Sequence, residues 1–176
     1  MDRPDMPSVA LVSIFCPDRT GLVASIAGCL FDLGVNLGDI SFAVLGSGAE
    51  FTAVCELPDS INEADLDQEL SGLSDLSAAK ITIAPFTLDP LQDPAGQITH
   101  RITLKGGDQP GLIARICEVF IEFKANIARL STVKTFGGDY VIRISVAIPK
   151  GSAAACLATI ANTAEGLQMS CRTREV

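Results

Sequence analysis

Two short stretches bring together residues that could hold a small anion. Near the start the chain reads Asp18-Arg19-Thr20-Gly21-Leu22-Val23, and ninety residues later it reads Asp108-Gln109-Pro110-Gly111-Leu112-Ile113. Fifteen residues after each glycine stands an asparagine, Asn36 and Asn126. Each stretch follows an apolar run and opens another of helical period. The free amides at a helix start, with the positive end of its dipole, attract an anion. A glycine has no Cβ, so a ligand or a neighbouring backbone can come close. Each residue taken alone also has a purely structural role. Asp18 and Asp108 can cap a helix, Pro110 suits a first helical turn, the glycines suit a tight turn, and Asn36 and Asn126 suit a helix end.

Other chemistries are poorly supplied. The chain has no Gly-x-Ser-x-Gly, no phosphate-binding loop and no His-Glu metal motif, so no catalytic residue is expected. The six cysteines, Cys16, Cys29, Cys55, Cys117, Cys156 and Cys171, form no C-x-x-C pair. The one histidine, His100, has no Cys or His at ligand spacing, so neither metal nor cofactor is expected. Most of the cysteines read as small buried hydrophobes kept reduced, and His100 as an edge or sheet residue. The carboxylates Glu56, Asp59, Glu63, Asp65, Asp67 and Glu69 read as a solvated helix face.

The elements that must position the two stretches follow from a repeat. With position 18 placed on 108, Leu22, Val23, Ile26, Leu30 and Leu33 fall on Leu112, Ile113, Ile116, Phe120 and Phe123. Asn36 falls on Asn126 and Ser41 on Ser131; after one insertion, Phe51, Ala53, Cys55 and Leu57 fall on Ile142, Ile144, Val146 and Ile148. Each copy reads as strand, helix, strand, strand, helix, strand. First strands are expected at 8–16 and 98–105, and first helices at about 20–33 and 110–123, with Gly34 ending the first. The first strand is apolar on both faces, which suggests that its outer face is covered too. Hairpins follow at 36–45 with 50–57, and at 126–135 with 139–147, joined by Gly46-Ser47-Gly48 and Gly137-Gly138. Second helices are expected at about 62–73 and 152–164, capped by Asn62 and Ser152, with Gly166 ending the last. Final strands carry Ile81 and Ile83 in one copy, and Leu167, Met169 and Cys171 in the other. Residues 86–97, with Pro90, Pro94 and Gly96, read as a linker between domains at 1–85 and 98–176. The fold class is therefore α+β. It consists of two tandem ferredoxin-like βαββαβ domains, each an antiparallel four-stranded sheet with two helices on one face.

Charge and composition bound the partners. The 176 residues are 48% hydrophobic and 19% charged, enough for packed cores. No apolar run reaches the ~18 residues of a membrane span. Met1-Asp2-Arg3-Pro4-Asp5 does not resemble a secretory leader, so a cytoplasmic protein is expected. Net charge is −8, divided as 3 Lys and Arg against 13 Asp and Glu in residues 1–85, and 10 against 8 in residues 86–176. An acidic chain with one Tyr and no Trp is a poor direct binder of nucleic acid. The asymmetry suits packing between the halves, an outside partner, or simply a solvated acidic face.

The run Asp108-Gln109-Pro110-Gly111-Leu112-Ile113-Ala114-Arg115-Ile116, followed by Asn126-Ile127 and Ser131, resembles the ACT domain family. Asp18-Arg19-Thr20-Gly21-Leu22-Val23, Asn36 and Ser41 match the same pattern, with Thr20 where the family usually has proline. The resemblance covers nearly the whole chain. Two tandem ACT domains without an enzymatic domain are similar to proteins of the glycine cleavage repressor type. The resemblance implies a non-catalytic regulatory module that binds a small amino acid, glycine first among them, at an ACT–ACT interface near this turn. Helix amides would take the carboxylate, and Asp18, Asp108, Asn36, Asn126 and backbone carbonyls the ammonium. It further implies a homodimer and a protein partner such as a transcriptional regulator, with DNA controlled indirectly. The alternatives are a ligand-free interaction or dimerisation scaffold and, third, a stand-alone enzyme.

Overall fold

Alternation with a period of two residues builds every inner strand. The structure, a computed structural model, describes residues 8–89 and 97–176. The N-terminal segment read for a leader, and Pro90, Pro94 and Gly96 of the expected linker, lie outside the described residues. In β1 (Ser8–Pro17) the side chains of Ala10, Val12, Ile14 and Cys16 are buried on one face. Next come α1 (Leu22–Asp32), β2 (Asn36–Leu45), β3 (Gly48–Leu57), α2 (Glu63–Gly72) and β4 (Lys80–Pro85). The second series is β5 (His100–Gly106), α3 (Leu112–Glu122), β6 (Asn126–Lys134), β7 (Tyr140–Ala147), α4 (Ala153–Gly166) and β8 (Ser170–Glu175). The chain divides between Leu91 and Gln92 into two compact units.

Each unit is a four-stranded antiparallel sheet, ordered β2-β3-β1-β4 in the first and β6-β7-β5-β8 in the second. The ferredoxin-like βαββαβ reading therefore holds for both. The helices bury their stripes against one sheet face. Leu22, Ile26 and Leu30 of α1 meet Leu66 and Leu70 of α2 over the first sheet. Leu112, Ile116 and Phe120 of α3 meet Cys156 and Ile160 of α4 over the second. Each such side chain contributes roughly 1.5–3 kcal/mol when fully removed from water. The opposite face of β1 is only half-covered, with Leu11 intermediate and Phe15 half-exposed.

Several local expectations need correction. α2 has the expected cap: the Asn62 side chain accepts from the Ala64 and Asp65 amides, and Asp65 returns a bond to the Asn62 amide. Ser152 does not cap α4; its hydroxyl donates to the Pro149 carbonyl at 3.1 Å, because a 3-10 turn at Lys150–Ser152 precedes the helix. Gly166 does not stop α4 either. It is the last helical residue, and Gln168 takes the left-handed position at φ 58. The last strand begins at Ser170, so Leu167 and Met169 belong to the helix end and the core, not to β8. His100 is a sheet residue, one of the two places expected for it, and not an edge residue. It lies in the inner strand β5, faces the helices, and its Nδ1 sits 2.8 Å from the Thr99 hydroxyl.

Candidate functional site

The repeated turn has the same backbone in both units. The Leu22 amide donates to the Arg19 carbonyl, and the Leu112 amide to the Gln109 carbonyl, each at 3.4 Å. Gly21 (φ 88, ψ −4) and Gly111 (φ 80, ψ 0) occupy the third position of these turns. Those angles belong to a type II turn, where only a residue tolerant of positive φ fits well. The second position of such a turn favours proline but accepts other residues. Thr20 and Pro110 sit there, ahead of the helix and not in its first turn, so the exchange between them leaves the geometry intact. A Cβ added at Gly21 or Gly111 meets nothing within 4 Å. The glycines are therefore required for their conformation, and the space beside them is open.

Neither aspartate caps its helix. The positions before α1 and α3 are the left-handed glycines, with no side-chain bond to the helix start. The amides of the first helical turn thus receive no carboxylate from the chain's own cap residue. The residue after each aspartate ties the turn to the end of the second helix. Arg19 pairs with Asp75 in the 3-10 turn after α2, and the Gln109 side chain donates to the Leu167 carbonyl at 2.9 Å. Arg19 and Gln109 are thereby engaged in holding the turn. Leu22 and Leu112 are buried anchors of the helix stripes, and Ile113 is partly buried against the second core. Val23 is exposed beside the first turn.

The surroundings of the two turns differ. Asp108 meets Lys134 at 3.4 Å on the neighbouring hairpin strand, and Lys105 meets Asp139 at 3.0 Å. In the first unit the equivalent of Lys134 is Val44, and Phe15 and Gly48 replace Lys105 and Asp139. The Asp18 amide donates to the Ser47 carbonyl at 2.9 Å, while no ion pair engages its carboxylate among the described residues. A Cβ at Gly48 would lie 2.7 Å from the Phe15 ring, so the ring rests on bare backbone there. Beside it opens a cavity of about 310 Å³, walled by Phe15, Pro17, Leu45, Ser47 and Lys80.

Within a unit, the asparagines do not join the turns. Asn36 stands across from Glu56, and Glu56 from Val9, whereas the turn follows Pro17 at the far end of β1. Eight strand residues separate the two places, roughly 26 Å at ~3.3 Å per residue. Asn36 donates to the Glu56 carboxylate at 2.8 Å. Asn126 likewise lies across from Ala147, next to the His100 end of β5, with the Asp108 turn beyond Gly106 at the other end. Sequence spacing could not reveal this, because a helix of eleven residues intervenes and runs back along the sheet.

Cys16, Cys55 and Cys156 are buried, and Cys29, Cys117 and Cys171 are half-buried. All six are free thiols, and desolvation raises the pKa of each, that of Cys55 to about 11. A thiol held protonated is a poor nucleophile and a poor metal ligand. Among the described residues, no group of three or more His, Cys, Asp or Glu is placed to hold a metal ion, and no helix is long and apolar enough to cross a membrane.

Comparison with known proteins agrees with this architecture. Residues 8–83 match the ACT domain family model. The UPF0237 protein of Streptococcus mutans is 31% identical over 74 residues, which are 42% of this chain and 84% of that one. Two solved structures superpose on nearly the whole chain. One is an unknown protein from Galdieria sulphuraria, with TM-score 0.73 and 19% identity, covering 97% of this chain and 99% of that one. The other is a candidate glycine cleavage system transcriptional repressor, with TM-score 0.71 and 16% identity, covering 98% and 99%.

Proposed function

The chain belongs to the ACT domain family, and from that premise we propose a non-catalytic regulatory protein that binds a small amino acid through its β1–α1 turn. The observation that carries this reading is the turn itself. It recurs with a left-handed glycine, open space above that glycine, and helix-start amides left uncapped by side chains. Such amides suit a carboxylate, and a nearby aspartate suits an ammonium on the same carbon. The first turn fits the second requirement better, because among the described residues Asp18 has no lysine partner while Asp108 has Lys134. A free amino acid is far shorter than the distance from either turn to the asparagine of its own unit. An asparagine contact would therefore come from a second ACT domain, which favours a ligand held at an ACT–ACT interface.

Likeness to a candidate glycine cleavage repressor makes glycine the first ligand to test. Binding would change the affinity for a protein partner, such as a transcriptional regulator, only if two states of the chain bind the ligand unequally. Isothermal titration with a panel of amino acids tests the reading. One or a few small amino acids should bind, and Asp18→Ala should weaken binding by about 10- to 100-fold, the loss of one charge-assisted hydrogen bond. Asp108→Ala should matter less. Absence of heat from every amino acid at millimolar concentration would sink the sensor reading.

A second reading, an interaction scaffold without ligand, has its own support. Ile40, Phe42 and Val44 project from edge strand β2 and are 45%, 40% and 54% exposed. An edge strand with an apolar row is a surface for pairing with another chain. Retention of partner binding in variants that have lost amino-acid binding would favour it.

A further inference from the structure

The outward face of the second sheet is strongly basic, although the chain as a whole is acidic. Ladder register places Arg129 of β6, Arg143 of β7, Arg101 and Lys105 of β5, and Arg172 and Arg174 of β8 on the face turned away from the helices. All six are exposed, and they are six of the thirteen Lys and Arg of the chain. Among the described residues, only Lys105 of the six is in an ion pair. Arg101 stands directly opposite Arg174 in the ladder. Like charges in that position destabilise a sheet.

The fold does not need these cations. The first sheet carries Leu11, Thr52, Thr82 and Ala84 where the second carries Arg101, Arg143, Arg172 and Arg174, and both sheets have the same topology. A cationic face with five of its six charges outside any ion pair among the described residues, tolerated by the fold at a cost, suits an anionic occupant.

We propose that this face docks the acidic first unit of a second copy of the chain. That unit supplies the complement. Between α1 and α2 runs a groove of about 470 Å³ whose walls include Asp32 and Glu69, and Gly28 and Gly72 leave it open. Planar guanidinium groups bind carboxylates through two parallel hydrogen bonds, and they shed water more readily than ammonium groups. Nucleic acid fits the face less well. The outward ladder positions hold Ser, Thr, Val, Arg and Lys but no aromatic platform for bases, and the other seven basic residues face 21 acidic ones. The face is polar and charged, so the contact is reversible and sensitive to salt. Used reciprocally by two copies it closes a dimer, whereas a one-sided contact would propagate. The proposal does not depend on amino-acid binding.

Sedimentation velocity of the full chain tests it, at about 20 mM and about 500 mM salt. The wild type should associate at low salt, and the high-salt association constant should be lower by about tenfold or more. R172E/R174E alone and D32K/E69K alone should each lose the salt-sensitive component. A mixture of the two variants should regain it, because one retains the acidic groove and the other the basic face. That regain also shows that both variants are folded. Salt-independent mass, wild-type association by either variant, or no regain in the mixture overturns the proposal. So does a monomeric wild type that binds a mixed-sequence DNA duplex through Arg172 and Arg174.

Discussion

Lys124 holds the backbone position that the first unit gives to Gly34, and Gln168 takes a left-handed position after α4. After α1, the Gly34 amide donates to Phe31 and the Val35 amide to Leu30, with Gly34 at φ 73. After α3, the Lys124 amide donates to Ile121 and the Ala125 amide to Phe120, with Lys124 at φ 53. The hydrogen-bond pattern is one and the same helix stop, but a side chain with Cβ is strained in the left-handed region. Lys124→Gly should therefore stabilise the second unit by about 0.5–1 kcal/mol. Gly111→Ala should destabilise it by about 1 kcal/mol or more, although the added methyl touches nothing within 4 Å. Urea unfolding of the three proteins measures both signs. A destabilised Lys124→Gly would mean that the lysine side chain makes a contact outweighing the strain. Gly34 was legible in the sequence because glycine after an apolar stripe marks a helix stop. Lys124 and Gln168 were not, because nothing in their chemistry announces positive φ.

Elements with an apolar face were legible, and those without one were not. The stripes Leu22-Ile26-Leu30 and Leu112-Ile116-Phe120 placed α1 and α3 almost to the residue. Edge strand β8 was expected, but its start was placed too early, because Ser-Cys-Arg-Thr-Arg-Glu has one apolar residue and the apolar Leu167 and Met169 precede it. The basic face was not legible, since that face exists only once β8 is registered against β5. The turn was found by its repeat, but the position of Asn36 and Asn126 at the far end of their own sheets was not legible, because linear spacing does not show that α1 and α3 return the chain to the opposite sheet end. Caps show the same limit. Asn62 and Ser152 look equivalent in sequence, yet only Asn62 bonds helix amides, while Ser152 bonds backward to Pro149. Asn62→Ala should cost about 1 kcal/mol through loss of the capping box, and Ser152→Ala only a few tenths. Thermal unfolding of both variants in the full chain checks the contrast. Equal losses would assign Ser152 a capping role that its hydroxyl geometry does not support.

At the scale of the whole molecule, the two buried clusters share no residue among the described residues. One runs from Ala10 to Leu76 and the other from Ile102 to Met169. Every strand ladder likewise closes within its own unit. A unit that owns its core and its sheet has what independent folding requires. We therefore expect fragments 8–89 and 97–176, produced separately, each to unfold in a single cooperative transition. At ~0.05–0.15 kcal/mol per residue, each of these roughly 80-residue pieces should be stable by about 4–12 kcal/mol. The two should differ in their response to ionic strength. The second fragment holds Arg101 opposite Arg174, neither in an ion pair among the described residues, so added salt should screen that repulsion and raise its stability. The first fragment has no such pair on its outward face and should gain less from that source. Urea titrations of both fragments at low and high salt test the division and the charge argument together. A fragment without a cooperative transition would show that its core needs the rest of the chain. A second fragment that gains no stability with salt would show that its arginines are not in mutual repulsion.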